Sequence, residues 1–186
     1  MTRRDIPNLL TVLRILLVPP FALALVDGRY NLALMLFLLA GASDGLDGFL
    51  AKRYGWTSRL GSILDPLADK LLLITSFLVL AWLELLPGWL AWAVLGRDVA
   101  IVAGALAYHW YFGRYDLAPA AISKVNTLVQ IVLVVATITA AGPFSLIAMG
   151  VPTLVYLALA TTLASGIHYV ITWSQRALAS RRVSVS

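Results

Sequence analysis

A chain of 186 residues that is 61% hydrophobic and only 12% charged is too apolar for a soluble domain, which places it in a lipid bilayer. Its formal net charge of +5 then suits anionic lipid headgroups rather than nucleic acid, because no soluble basic domain remains to grip a duplex. The sequence has no cysteine, which excludes a disulfide framework and a thiolate metal site.

A spanning helix needs about 20 apolar residues. Six stretches meet that need, near 8–26, 31–53, 62–85, 88–111, 120–141 and 145–173. Met1 to Pro7 is polar and basic and reads as a short interfacial segment leading into the first span. That span carries Asn8, Thr11 and Arg14, too polar a patch for the apolar run of a cleaved signal peptide, so it is read as a retained anchor. Turn-forming residues separate the spans at Asp27-Gly28, Tyr54 to Ser58, Pro87-Gly88, Gly113 to Pro119 and Gly142-Pro143. Connections this short make consecutive spans antiparallel neighbours. The expected architecture is therefore all-α: a polytopic membrane protein with six transmembrane helices in one bundle, and a single domain over residues 1–186.

Orientation follows from the basic residues. Arg3, Arg4, Lys52, Arg53, Arg59, Arg114, Arg176, Arg181 and Arg182 fall on the side of the N-terminus, and the opposite loops receive Arg29. Both ends are expected to face the cytoplasm, with the tail from Arg176 to Ser186 a short, weakly ordered surface segment. Trp82, Trp89, Trp92, Trp110, Tyr111 and Trp173 fall near span ends, as aromatic belts do.

Against this apolar background stand four acids, Asp44, Asp47, Asp65 and Asp69. A charged side chain at the bilayer centre costs roughly 2.5 to 3.5 kcal/mol on insertion scales, so intramembrane acids mark sites. Asp44 and Asp47 are i and i+3, and Gly48 and Ala51 continue their stripe. Gly61, Asp65 and Asp69 are i, i+4 and i+8 in the next span. Antiparallel neighbours would turn the two acidic stripes toward each other.

Four gathered carboxylates repel one another in a dry setting unless cations neutralise them. All-oxygen ligation suits Mg²⁺, Mn²⁺ or Ca²⁺ rather than zinc. Two such ions, about 3.5 to 4 Å apart, are the arrangement used for in-line displacement at phosphorus. The small residues Gly48, Ala51 and Gly61 leave room for a nucleotide against the helices.

With these residues in view, the sequence resembles the CDP-alcohol phosphatidyltransferases. Their signature of two Asp, Gly and Ala-Arg, then Gly, Asp and Asp, is met by Asp44, Asp47, Gly48, Ala51, Gly61, Asp65 and Asp69. Lys52 stands at the signature's arginine position, with Arg53 beside it; lysine keeps the charge and loses the planar fork for bidentate phosphate contact. Pro7 to Thr11 and Arg14 resemble the family's opening motif. The resemblance implies a six-span homodimer open to the cytoplasmic face. It also implies divalent metal, Mg²⁺ or Mn²⁺, on Asp44, Asp47 and Asp65 with help from Asp69, which serves as general base. The donor that the resemblance implies is CDP-diacylglycerol, with its nucleotide expected near Asn8, Thr11, Gly48, Ala51, Lys52 and Gly61 and CMP as the leaving product.

The acceptor must be read elsewhere. Arg97-Asp98-Val99 and Ile122 to Thr127 resemble the CMP-forming cardiolipin synthases, whose acceptor is phosphatidylglycerol. The alternative is glycerol 3-phosphate, as in phosphatidylglycerophosphate synthase. Arg14, Arg53, Arg59, Arg97 and Lys124 are the cations expected to hold an acceptor's phosphate, although Asp98 is placed to pair with Arg97 and Lys124 to snorkel. An ion or proton transporter using the acids as a relay is a remote alternative: transporter sites lie near the bilayer midplane, and these acids cluster toward one side. Placement in a bacterial cytoplasmic membrane is the corresponding expectation.

Overall fold

Backbone polar groups in lipid must be satisfied within the segment, which leaves helices as the natural form of each apolar run. A computed structural model describes residues 6–54, 61–112, 121–142 and 144–183. Six α-helices follow in order: α1 (Ile6–Val26), α2 (Tyr30–Tyr54), α3 (Gly61–Trp82), α4 (Gly88–Phe112), α5 (Ala121–Ala141) and α6 (Val151–Val183). A short 3-10 helix, Ser145–Gly150, precedes α6. Among the described residues three segments are long and apolar enough to cross a membrane: Leu9–Val26, Ala121–Ala141 and Ile147–Thr172. The apolar run of α2, Tyr30–Gly45, is shorter and ends among the acids.

The helix ends show where hydropathy misleads. After α1, Arg29 N–H donates to Ala24 O at 2.8 Å and Gly28 N–H to Leu25 O at 3.0 Å, a Schellman closure with Gly28 at φ 69°. The same closure ends α3, where Leu85 N–H donates to Leu80 O at 2.9 Å and Glu84 N–H to Ala81 O at 3.1 Å. Here the left-handed residue is Glu84, φ 59°. With no glycine to announce the stop, and Leu83, Leu85 and Leu86 continuing the apolar run, the expected span 62–85 overshoots α3. The C-terminal expectation is also corrected: α6 remains helical through Val183, so the stretch from Arg176 is largely a helical extension rather than a weakly ordered tail. Residues 1–5 of the expected interfacial segment lie outside the described residues; Ile6 and Pro7 already belong to α1.

The chain forms two compact units, Met1–Pro87 with Val134–Val151, and Gly88–Leu133 with Pro152–Ser186. In the first, α1 packs against both α2 and α3. Phe21 and Phe37 meet with ring centroids 5.7 Å apart, tilted at 43°. Ala24, Ala33, Ala40 and Ala68 are buried, the small residues that let apolar helices approach closely. Large apolar side chains such as Leu16, Leu23 and Met35 are exposed, as a lipid-facing surface requires. In the second unit Leu90, Val94, Leu133 and Ala158 are buried.

Gly142 closes the first unit where α5 ends. A Cβ there would lie 2.9 Å from Tyr30 Cβ and 3.2 Å from Ile138 O, neither of which is the far end of a flexible chain. Gly142→Ala is expected to destabilise the protein by about 1 to 3 kcal/mol, read as a lowered melting temperature in detergent; an unchanged melt would show that the α2 start yields freely.

Candidate active site

Arg14 lies in the middle of an apolar helix, and its side chain is completely buried. A guanidinium cannot be deprotonated at ordinary pH, so burial demands acidic partners. It finds two. Nη1 donates to Asp69 Oδ1 on α3 at 2.5 Å and contacts Asp44 Oδ1 on α2 at 2.9 Å. Two oxygens touching one nitrogen lie no farther apart than those two contacts together, so one side chain of α1 draws α2 and α3 acids into a single cluster. The carboxylates themselves are 44% and 45% exposed. Their outer sides are open to an incoming ligand while the cation holds them from within.

This joins the first member of one acidic pair to the last member of the other. α2 is helical through Asp44, Asp47, Gly48 and Ala51, and α3 through Gly61, Asp65 and Asp69, which preserves the registers read from sequence. The side chains of Asn8, Asp47, Ala51, Lys52, Arg53 and Asp65 and the surroundings of Gly48 and Gly61 lie outside the described residues, as does the whole of Arg59. Among the described residues no group of three or more potential metal ligands is assembled. Asp44 and Asp69 nevertheless fit a hard divalent cation: both are oxygen donors, close together and half open. Thr11, three positions before Arg14 on α1, is fully buried.

The second unit has its own polar centre. Arg97 Nη1 donates to Asp98 Oδ1 at 2.6 Å, while Nη2 donates to Ser123 Oγ of α5 and Ser165 Oγ of α6, each at 2.6 Å. Its guanidinium carbon also stands 6.0 Å from the Tyr169 ring centroid, within cation–π range. Arg97 and Asp98 side chains are only 9% and 16% exposed. One turn along, the Thr161 and Thr162 hydroxyls each reach Asn126 Oδ1 at 2.9 Å. Gln130 Nε2 approaches Thr162 Oγ1 at 3.4 Å. These contacts make a polar seam between α5 and α6, of the kind that joins helices in lipid.

The pairing of Arg97 with Asp98 was legible from their adjacency. Ser123 lay within the motif Ile122 to Thr127 without being singled out, and Ser165, Thr161, Thr162 and Gln130 were missed. Their signal was faint: single hydroxyls and amides at helical spacing in apolar runs. Lys124 is exposed on α5, compatible with a headgroup-facing cation.

Comparison with known proteins agrees with the motif. Residues 4–179 match the family model of the CDP-alcohol phosphatidyltransferases. The cardiolipin synthase (CMP-forming) of Homo sapiens is 38% identical over 151 residues, covering 73% of this chain and 50% of the human protein. Its namesake in Streptomyces coelicolor is 37% identical over 114 residues, covering 57% and 53%. The CDP-diacylglycerol--glycerol-3-phosphate 3-phosphatidyltransferase of Blochmanniella floridana is 32% identical over 174 residues and covers 89% of each chain. The chain thus spans about half the length of the human and Streptomyces relatives. A match over nearly the whole sequence, joined to an intact acidic signature, makes this chain a member of the CDP-alcohol phosphatidyltransferase family.

Proposed function

We propose that the protein transfers the phosphatidyl group of CDP-diacylglycerol to phosphatidylglycerol, giving cardiolipin and CMP. The observation that supports the transferase chemistry is the joining of Asp44 and Asp69 by Arg14, which brings both halves of the acidic signature to one place; the choice of phosphatidylglycerol is supported by the similarity to the cardiolipin synthases. Asp44, Asp47, Asp65 and Asp69 are the residues that would hold Mg²⁺ or Mn²⁺, two ions in all, supplying charge neutralisation at the diphosphate. Asn8, Thr11, Gly48, Ala51, Lys52 and Gly61 receive the nucleotide. Asp69 accepts the proton of the acceptor's primary hydroxyl. As that oxygen bonds to the phosphorus bearing diacylglycerol, the bond to the CMP oxygen breaks and CMP departs. Arg53, Arg59, Arg97 and Lys124 offset phosphate charge on donor or acceptor, while Arg14, wholly buried against Asp44 and Asp69, offsets the charge of those two acids instead of reaching the acceptor's phosphate.

The protein is proposed to work as one domain over residues 1–186, with six spans, as a homodimer in a bacterial cytoplasmic membrane, both termini and the site facing the cytoplasm. The basic bias of the loops supports that orientation. A second reading, glycerol 3-phosphate as acceptor and phosphatidylglycerophosphate as product, is favoured by one observation: the Blochmanniella relative of that name covers 89% of both chains.

Purified protein in detergent, given labelled CDP-diacylglycerol with each acceptor in turn, separates the two. Cardiolipin from phosphatidylglycerol is the expected product. Product from glycerol 3-phosphate alone would replace the first reading with the second, and ion counterflow in liposomes without CMP release would remove both.

A further inference from the structure

The Arg14 contact places a permanent positive charge against two acids that the proposed function assigns to divalent metal. Nη1 touches Asp44 Oδ1 at 2.9 Å and Asp69 Oδ1 at 2.5 Å. The guanidinium is wholly buried, whereas the carboxylates are nearly half exposed. It therefore sits on the protein side of the acids and leaves their solvent side open. An ionised carboxylate offers about four acceptor positions, so this contact does not block metal by occupancy. Its charge repels an incoming cation all the same.

We propose that Arg14 is an internal counter-cation that competes with divalent metal for Asp44 and Asp69, neutralising them when no metal is bound and holding metal affinity down. The inference rests on the reading that these acids are metal ligands. Removing Arg14 has two opposing effects. Loss of a fixed contact loosens the acids and weakens metal binding; loss of a neighbouring positive charge strengthens it. The first effect is small here, because α1 also packs on α2 and α3 away from this contact, as where Phe21 meets Phe37. The second acts at side-chain distance from a guanidinium that is itself wholly buried and so little screened on its own side, and it prevails.

The test is Mn²⁺ binding to the purified full chain, followed by the electron paramagnetic resonance of free Mn²⁺. Arg14→Gln is expected to bind Mn²⁺ about tenfold or more tightly than the wild type, the direction fixed by removal of a like charge. Arg14→Lys keeps the charge and is expected to stay near the wild type. Thermal melting gives a second reading in the same preparations. Without metal, Arg14→Gln melts below the wild type, and Mn²⁺ raises its melting temperature further than that of the wild type, because a ligand that binds only the folded state stabilises in proportion to its affinity. Equal or weaker Mn²⁺ binding by Arg14→Gln, with no larger thermal shift, would overturn the inference while leaving the metal assignment standing. Failure of the wild type to bind Mn²⁺ would remove the metal assignment and the inference together.

Discussion

Asp69→Asn is expected to lower CMP release by about 10²- to 10⁴-fold, the range typical of a lost general base, with any loss of metal ligation deepening the fall. The substitution is chosen because asparagine keeps the shape. Its Oδ1 still accepts from Arg14 Nη1, the contact Asp69 makes at 2.5 Å, so the α1–α3 junction survives. What disappears is the charge that takes the acceptor's proton and helps hold cations. Purified wild type and variant should therefore melt at similar temperatures while differing in CMP released from CDP-diacylglycerol and phosphatidylglycerol. Asp44→Asn is the informative companion: it removes the other carboxylate on the same guanidinium, at 2.9 Å, without removing the assigned base. An Asp69→Asn variant that keeps most of its activity would take the base assignment away from Asp69, and a variant that loses activity only by unfolding would leave its role structural.

The acids were legible because charge is conspicuous in an apolar chain, and because i, i+3 and i+4, i+8 spacings survive on any helix. The helix boundaries were legible wherever glycine or proline marks them, as at Gly28 and Pro87-Gly88. At Glu84 the chain turns through a left-handed residue that sequence gives no reason to suspect, and the apolar leucines around it carried the expectation past the true end. The start of α6 is the exception: Gly150 and Pro152 flank Val151, where α6 begins after a 3-10 helix, yet the hydropathy from Ser145 carried the expected span ahead of that mark. Arg14 was expected to hold an acceptor's phosphate, and the acids its buried side chain meets instead were not foreseen. They lie on other helices, 30 and 55 residues onward, and hydropathy and periodicity describe one helix at a time. The same limit hid Ser165, which meets Arg97 across a separation of 68 residues.

Arg97 is where stability and specificity separate most clearly. Its salt bridge with Asp98 is largely buried, and removing one member of such a pair strands the other. Arg97→Leu is expected to destabilise the protein by about 3 kcal/mol, the lower end of the range for broken buried pairs because Asp98 keeps some access to solvent. The double variant Arg97→Leu/Asp98→Leu removes both charges and should recover part of that loss, since an apolar pair of similar volume carries no desolvation penalty. Unfolding of the two variants in detergent measures the coupling directly. A double variant no more stable than Arg97→Leu would mean that the bonds to Ser123 and Ser165, not the ion pair, carry the stabilisation. Arg97→Lys then tests function in a folded protein: an ammonium keeps the charge and lacks the fork that serves Asp98 and both serines together. If Arg97 holds the acceptor's phosphate, Arg97→Lys raises KM for phosphatidylglycerol and leaves KM for CDP-diacylglycerol unchanged; KM values unchanged from the wild type for both substrates would confine Arg97 to joining α4, α5 and α6.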